Sequence, residues 1–189
     1  MNDLNPKCLD DFLFSNPNDK VKLELILSRK LPFPFSGKSG ILLHGTWGTG
    51  KTTLARILIK ALGVNAYDVL ELNASRTNSV DDVRDQITRF VSTSAFGDFK
   101  IVLLDEADYL SPNAQAALRN VMETYADNAR FILTCNYPNK VIPAIHSRCQ
   151  DFHISQLDQT EFTTRLAEIL LSEGVEFDLD VLDTYVRGS

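Results

Sequence analysis

Cysteine is scarce and scattered in this chain of 189 residues: Cys8, Cys135 and Cys149 are three in number, far apart, and form no C-x-x-C pair. That set excludes a disulfide framework and offers no zinc pattern, so reduced thiols are expected. Long apolar runs are missing as well. No stretch approaches the roughly 20 residues that a membrane-spanning helix needs. The opening MNDLNPKCLDDFLF lacks the basic-then-apolar order of a secretory leader. An intracellular chain is therefore expected, in cytoplasm, nucleus or a virus-infected host cell, with no membrane partner. Basic charge is also in deficit, with 19 Lys and Arg against 25 Asp and Glu, a net charge of −6 and a pI near 5.0. This argues against a broad basic face for nucleic acid, although a local cationic stripe inside a larger assembly is compatible with it. Repeats, low-complexity tracts and long like-charge runs are absent, and the main Pro/Gly-rich interruption is LPFPFSGKSG at 31–40.

What remains is a hydrophobic content of 44%, enough for one packed domain and the start of another. Helical periodicity is expected over 19–29. Apolar, strand-like runs follow at 41–44, 67–73 (YDVLELN), 99–105 (FKIVLLD), 130–136 (RFILTCN) and 151–154 (DFHI), with helical patterns between most of them. Strands alternating with helices of about a dozen residues predict an α/β domain, a parallel five-stranded sheet flanked by helices. After residue 155 the pattern is helix only. DQTEFTTRLAEILLSEG ends at Gly174 and LDVLDTYVRGS begins another helix, which divides the chain into 1–154 and a partial helical domain at 155–189.

Three of the nine glycines crowd into GTWGTGKTT, residues 45–53, between a strand and a helix. Gly45, Thr46, Trp47, Gly48, Thr49, Gly50, Lys51 and Thr52 fit G-x-x-x-x-G-K-[ST], and Thr53 follows. The glycines let backbone N–H groups turn toward a phosphate, to which the helix N-terminus adds its positive end. Lys51 is placed for the β- and γ-phosphates and Thr52 for Mg2+, so ATP and Mg2+ are the expected ligands. IVLLDEAD at 101–108 then reads as a buried strand delivering carboxylates at its end. Adjacent strand residues face opposite ways, so of Asp105 and Glu106 one is expected to hold the metal and the other to orient the attacking water. Asn136 ends RFILTCN, where its amide suits a γ-phosphate or water, or simply starts a turn before Pro138. Asn73, ending LELN, carries the same two readings. Arg148, in VIPAIHSRC, sits just before a strand on a segment that cannot easily return to its own phosphate loop, and suits a neighbour's phosphate.

From about Pro6 to Ser189 the chain resembles clamp-loader ATPase subunits of the AAA+ superfamily, the small subunits of replication factor C and their phage counterparts. LSPNAQAALRNVMETYADNARFILTCNYPNKVIPAIHSRC at 110–149 carries most of the resemblance, joined by the Asp105-Glu106-Ala107-Asp108 box, ELNAS at 71–75 and PKCLDDF at 6–12. It implies an ATPase acting in DNA replication, working with other clamp-loader subunits, a sliding clamp and primer–template DNA, and active only with oligomeric partners. By that resemblance Asn136 is the sensor-1 residue, Arg148 a finger acting in trans, and Asn73 a link from catalytic Glu106 to DNA. Gln115 and Arg119 would couple the site to DNA or to the adjacent subunit, and Arg84 matches a DNA-facing position. Arg89 falls elsewhere on that helix, and for both arginines a solvated face paired with Asp81, Asp82 or Asp85 is the alternative. The chain departs from the family at Thr46 and Trp47, usually prolines, and at Leu4 and Asn5, usually Tyr-Arg. Its last residues resemble the opening of a lid domain, stopping before a sensor-2 arginine and without a collar, as in a piece of a longer protein or a reduced relative. A non-hydrolysing scaffold subunit and a P-loop small-molecule kinase are the rival functions.

Overall fold

The structure is a computed structural model describing residues 9, 12, 14, 16–31, 33, 37–76, 80–155, 159–172 and 174–187. Leu4, Asn5, Pro6 and Cys8, named above, lie outside them.

Five strands form one parallel sheet: β1 Gly40–His44, β2 Val69–Asn73, β3 Lys100–Asp105, β4 Ala129–Cys135 and β5 Cys149–His153. Their order is β2-β3-β4-β1-β5. β1 is therefore an interior strand, between β4 (Gly40 opposite Phe131) and the edge strand β5 (Gly40 opposite Cys149). The helices are α1 Pro17–Leu27, α2 Lys51–Ala61, α3 Val80–Val91, α4 Pro112–Thr124 and the short α5 Pro143–His146. A separate compact unit, Gln156–Ser189, holds α6 Gln159–Ser172 and α7 Leu179–Arg187. Within it Gly174, at φ 69°, turns the chain after α6, and the Val175 N–H caps the Leu170 carbonyl at 2.9 Å.

The strands read as near-continuous apolar runs because the sheet is covered on both faces. Alternate residues divide into two cores. Leu42, Val102, Leu104, Phe131 and Leu133 pack with Val83, Ile87, Leu118 and Met122 of α3 and α4. Ile41, Leu43, Ile101, Leu103, Ile132 and Phe152 pack with Leu23, Ile26, Leu54 and Leu58 of α1 and α2. Cys135 and Cys149 are buried free thiols in the first core, and burial pushes both thiol pKa values up, that of Cys135 to about 12.

Several boundaries differ from expectation. α1 begins two residues early because the Asn16 carboxamide accepts the Asn18 N–H at 3.0 Å. β2 begins at Val69, since residues 66–68 form a 3-10 turn capped by Asn65 and tied by Asp68, whose buried carboxylate accepts the Phe96 and Gly97 N–H groups. β5 starts earlier, at Cys149, immediately after Arg148.

Candidate nucleotide site

β1 delivers the glycine loop at its C-terminal end. Gly45 is buried at φ 154°, and a Cβ there would fall 2.1 Å from the Ile154 carbonyl oxygen, so only glycine passes. Gly50, at φ 79°, caps α2 without a side chain, and a Cβ there would sit 3.1 Å from the Phe12 ring. Phe12, from the PKCLDDF segment, thus backs the loop. The N–H groups of residues 46–50 make no backbone hydrogen bond among the described residues. With the first-turn N–H groups of α2 they leave a run of donors around the helix N-terminus, the requirement for holding phosphate.

Lys51 spans this loop. Its ammonium donates to the carbonyls of Gly45 at 2.9 Å and Thr46 at 2.6 Å, and reaches the Thr49 hydroxyl at 3.4 Å. Burial lowers its pKa, against the raising effect of Asp105, Asp108 and Glu106 nearby. Thr52 Oγ1 donates to Asp105 Oδ1 at 2.7 Å, so a hydroxyl and a carboxylate converge as hard oxygen donors suited to Mg2+. Among the described residues no three His, Cys, Asp or Glu side chains gather to cage a metal. An ion held by one carboxylate, a hydroxyl, phosphates and water does not need such a cage. Thr53 lies half-buried one residue further along α2.

Asp105 and Glu106 are separated by a different device from the one expected. β3 ends at Asp105, and Glu106 stands at φ 56°, in the left-handed region, as the cap of a 3-10 turn over Ala107–Tyr109. A kink, rather than continued strand, therefore follows Asp105. Its anchor is Thr134 of β4, which the sequence reading missed. Thr134 is 1% exposed, donates to Asp105 Oδ1 at 2.5 Å and accepts the Glu106 N–H at 3.0 Å. A lone hydroxyl inside the apolar run FILTC was the available signal.

Asp108 was also missed as a site residue. It is 7% exposed, and its Oδ2 accepts the N–H groups of Asn136 (3.3 Å) and Tyr137 (3.1 Å). It thereby fixes the turn that carries Asn136 beyond the end of β4. Trp47, 66% exposed, meets the Tyr137 ring edge-on at 5.8 Å, so the residue standing in place of proline finds its partner within the chain. Lys140 lies 4.5 Å above the same ring.

Other candidates fall elsewhere. Asn73 donates to Asp105 Oδ2 at 3.4 Å, and its own oxygen accepts from the Ser75 N–H and hydroxyl. Gln115 is 2% exposed and is no contact surface. Its amide donates to the Leu110 and Lys140 carbonyls and accepts the Ile142 N–H at 2.8 Å, lashing α4 to the segment between Asn136 and α5. Arg84 is exposed and pairs with Asp85 at 3.0 Å. Arg119 pairs with Glu123 one turn along α4 at 3.0 Å, and Arg148 pairs with the same Glu123. Arg148 lies at the other end of the sheet from the glycine loop, its carbonyl accepting the N–H of Gly40, the first residue of β1. At about 3.3 Å per residue, the length of β1 puts roughly 16 Å between Arg148 and the loop.

Residues 41–157 match the family model for AAA, the ATPase family associated with various cellular activities. The chain belongs to that family. It is 41% identical to replication factor C small subunit 1 of Pyrobaculum islandicum over 171 residues, 88% of this chain and 52% of that protein. With a probable replication factor C subunit 5 of Dictyostelium discoideum it shares 38% over 188 residues, 96% and 52% of the two. The chain thus spans about half the length of these relatives. A RuvB mutant from Thermotoga maritima superposes with TM-score 0.72 at 20% identity, covering 97% of this chain and 60% of that one, a likeness of fold.

Proposed function

We propose that this chain is an ATP-binding and ATP-hydrolysing subunit of a sliding-clamp loader in DNA replication, completed by neighbouring subunits. The single observation that carries the reading is the separation of one site into two ends. The phosphate loop, Asp105, Glu106 and Asn136 gather where β1, β3 and β4 finish, while Arg148 stands beside the start of β1. An arginine so placed serves a phosphate on another molecule, as a finger supplied in trans. A small-molecule kinase, which closes its own arginines over the phosphates, is not favoured by this layout.

In this reading the loop amides, Lys51 and Thr52 hold the triphosphate. Thr52 and Asp105 would hold Mg2+, which supplies charge neutralisation at the β- and γ-phosphates. Glu106 accepts a proton from the attacking water, its direction set by the kink and by Thr134. Asn136 hydrogen-bonds the γ-phosphate or the water from a turn fixed by Asp108. Similarity to replication factor C small subunits supports other loader subunits, the clamp and primer–template DNA as partners. Arg84 is the exposed candidate for the DNA backbone, a contact whose strength is shared over several subunits.

The test uses mixed assemblies with the partner subunits. Arg148→Ala in this chain should slow turnover at the neighbour's site by about 10³-fold while this chain's own site, read with a Lys51→Ala neighbour, keeps its rate. Loss confined to the chain's own site would refute the trans assignment.

A further inference from the structure

The short helix α5 joins the two ends of the proposed site, and His146 is its last residue. Nδ1 of His146 lies 2.7 Å from Asp151 Oδ2, and Nε2 lies 3.0 Å from the Pro138 carbonyl oxygen. Both partners are acceptors. A neutral imidazole carries one N–H and can serve only one of them, whereas the imidazolium serves both. Pro138 is two residues beyond Asn136, and Arg148 is two residues beyond His146. We propose that His146 acts as a positioning residue, an imidazolium tie that holds the Asn136 turn against the base of the finger segment and lets go of it on deprotonation.

Which bond is lost follows from the charges. Asp151 Oδ1 is buried without a hydrogen-bond partner, so the bond from Nδ1–H to Oδ2 is the contact that compensates this carboxylate. A charge-assisted bond is about twice as strong as a neutral one, and the last proton therefore stays on Nδ1. Nε2 then turns a lone pair toward the Pro138 carbonyl, and the contact becomes repulsive. Among the described residues, Lys38, whose ammonium donates to the Cys149 carbonyl at 2.8 Å, and the titratable ring of His44 on β1 also lie close enough to act on His146. Burial by itself lowers the His146 pKa, but the Pro138 and Asp151 bonds outweigh it and raise the value above the ordinary 6.5. Release therefore occurs as pH rises through that raised value.

The inference rests on the proposed role of Asn136 for its functional meaning, but its physical core is testable without nucleotide. Trp47 is the chain's one tryptophan, and its partner Tyr137 adjoins Pro138, so Trp47 fluorescence reports the turn. Proton NMR of the three histidines, with the His146 signal identified by its loss in His146→Gln, should show His146 titrating above 6.5 and moving down in Asp151→Asn. Trp47 fluorescence should change with the same midpoint and lose that transition in His146→Gln. His146 titrating below 6.5, or fluorescence that ignores its titration, overturns the tie. In calorimetry, MgATP affinity should fall roughly 3- to 10-fold more across that transition in the parent than in His146→Gln, the effect of about one hydrogen bond. An equal fall in both overturns the link to Asn136. Absence of MgATP binding in both, with the fluorescence transition intact, counts against the proposed ATP site and leaves the tie standing.

Discussion

Replacing Thr134 by Val keeps shape and volume while removing one hydroxyl, and the structure says what that hydroxyl does. It donates to Asp105 Oδ1 at 2.5 Å and accepts the Glu106 N–H at 3.0 Å, from a position 1% exposed. The variant leaves a peptide N–H without its acceptor and takes a charge-assisted bond from a carboxylate that keeps Thr52 and Asn73 as donors. Each loss costs about 1–3 kcal/mol, and the remaining donors offset part of the second, so about 2–4 kcal/mol is expected in total. For a domain of this size that is a fall in Tm of roughly 5–15 °C. Thermal unfolding by circular dichroism measures it, with Thr134→Ser as the control that restores both bonds at the expense of one methyl. A Thr134→Val variant as stable as the parent, or one no worse than Thr134→Ser, would refute the claim that this hydroxyl anchors the kink between the two carboxylates.

Glu106 occupies the left-handed region, where a side chain costs about 1–2 kcal/mol, so Glu106→Gly should be more stable than Glu106→Ala by about 1 kcal/mol in urea unfolding. Gln115→Leu should cost about 2–5 kcal/mol by stranding the Lys140 and Leu110 carbonyls and the Ile142 N–H, whereas Arg119→Ala should stay within about 0.5 kcal/mol. Stability should also bend about pH 6.5 in both directions. The raised His146 value adds stability that is fully present below 6.5 and is lost as pH rises through the folded value, so His146→Gln should flatten the alkaline side. Burial and then the charge of His153 lower the His44 value, so its contribution is present above 6.5 and is lost as pH falls toward the folded value; His44→Gln should flatten that side.

Much of the fold was legible because a parallel sheet buried on both faces writes each strand as an apolar run, and the helices between them keep the 3.6-residue period. The glycine loop and the acidic box were legible because their spacing is local. What escaped was set by contacts distant in sequence or by single side chains. Tyr67 and Asp68 read as strand until the Asn65 cap and the Phe96 and Gly97 N–H groups draw them into a turn. Glu106 read as a strand residue, because nothing local announces a left-handed kink held by a threonine 28 positions away. Gln115 was expected to couple the site to DNA or to the adjacent subunit, while its amide closes three backbone bonds that become visible only once residues 138–142 are folded over it. Thr134 and Asp108 carried no motif of their own, and His146 gains its partners only when the chain turns from Pro138 through α5 into β5.

The central claim is that the end of β1 is a triphosphate cradle held by Lys51, and titration calorimetry of the chain with MgATP tests it most directly. The account predicts one ATP bound per chain, binding abolished in Lys51→Ala, and affinity retained in Glu106→Gln, since the first variant removes a cation from the cradle and the second only the group facing the water. Equal MgATP affinity in the parent and in Lys51→Ala would contradict it.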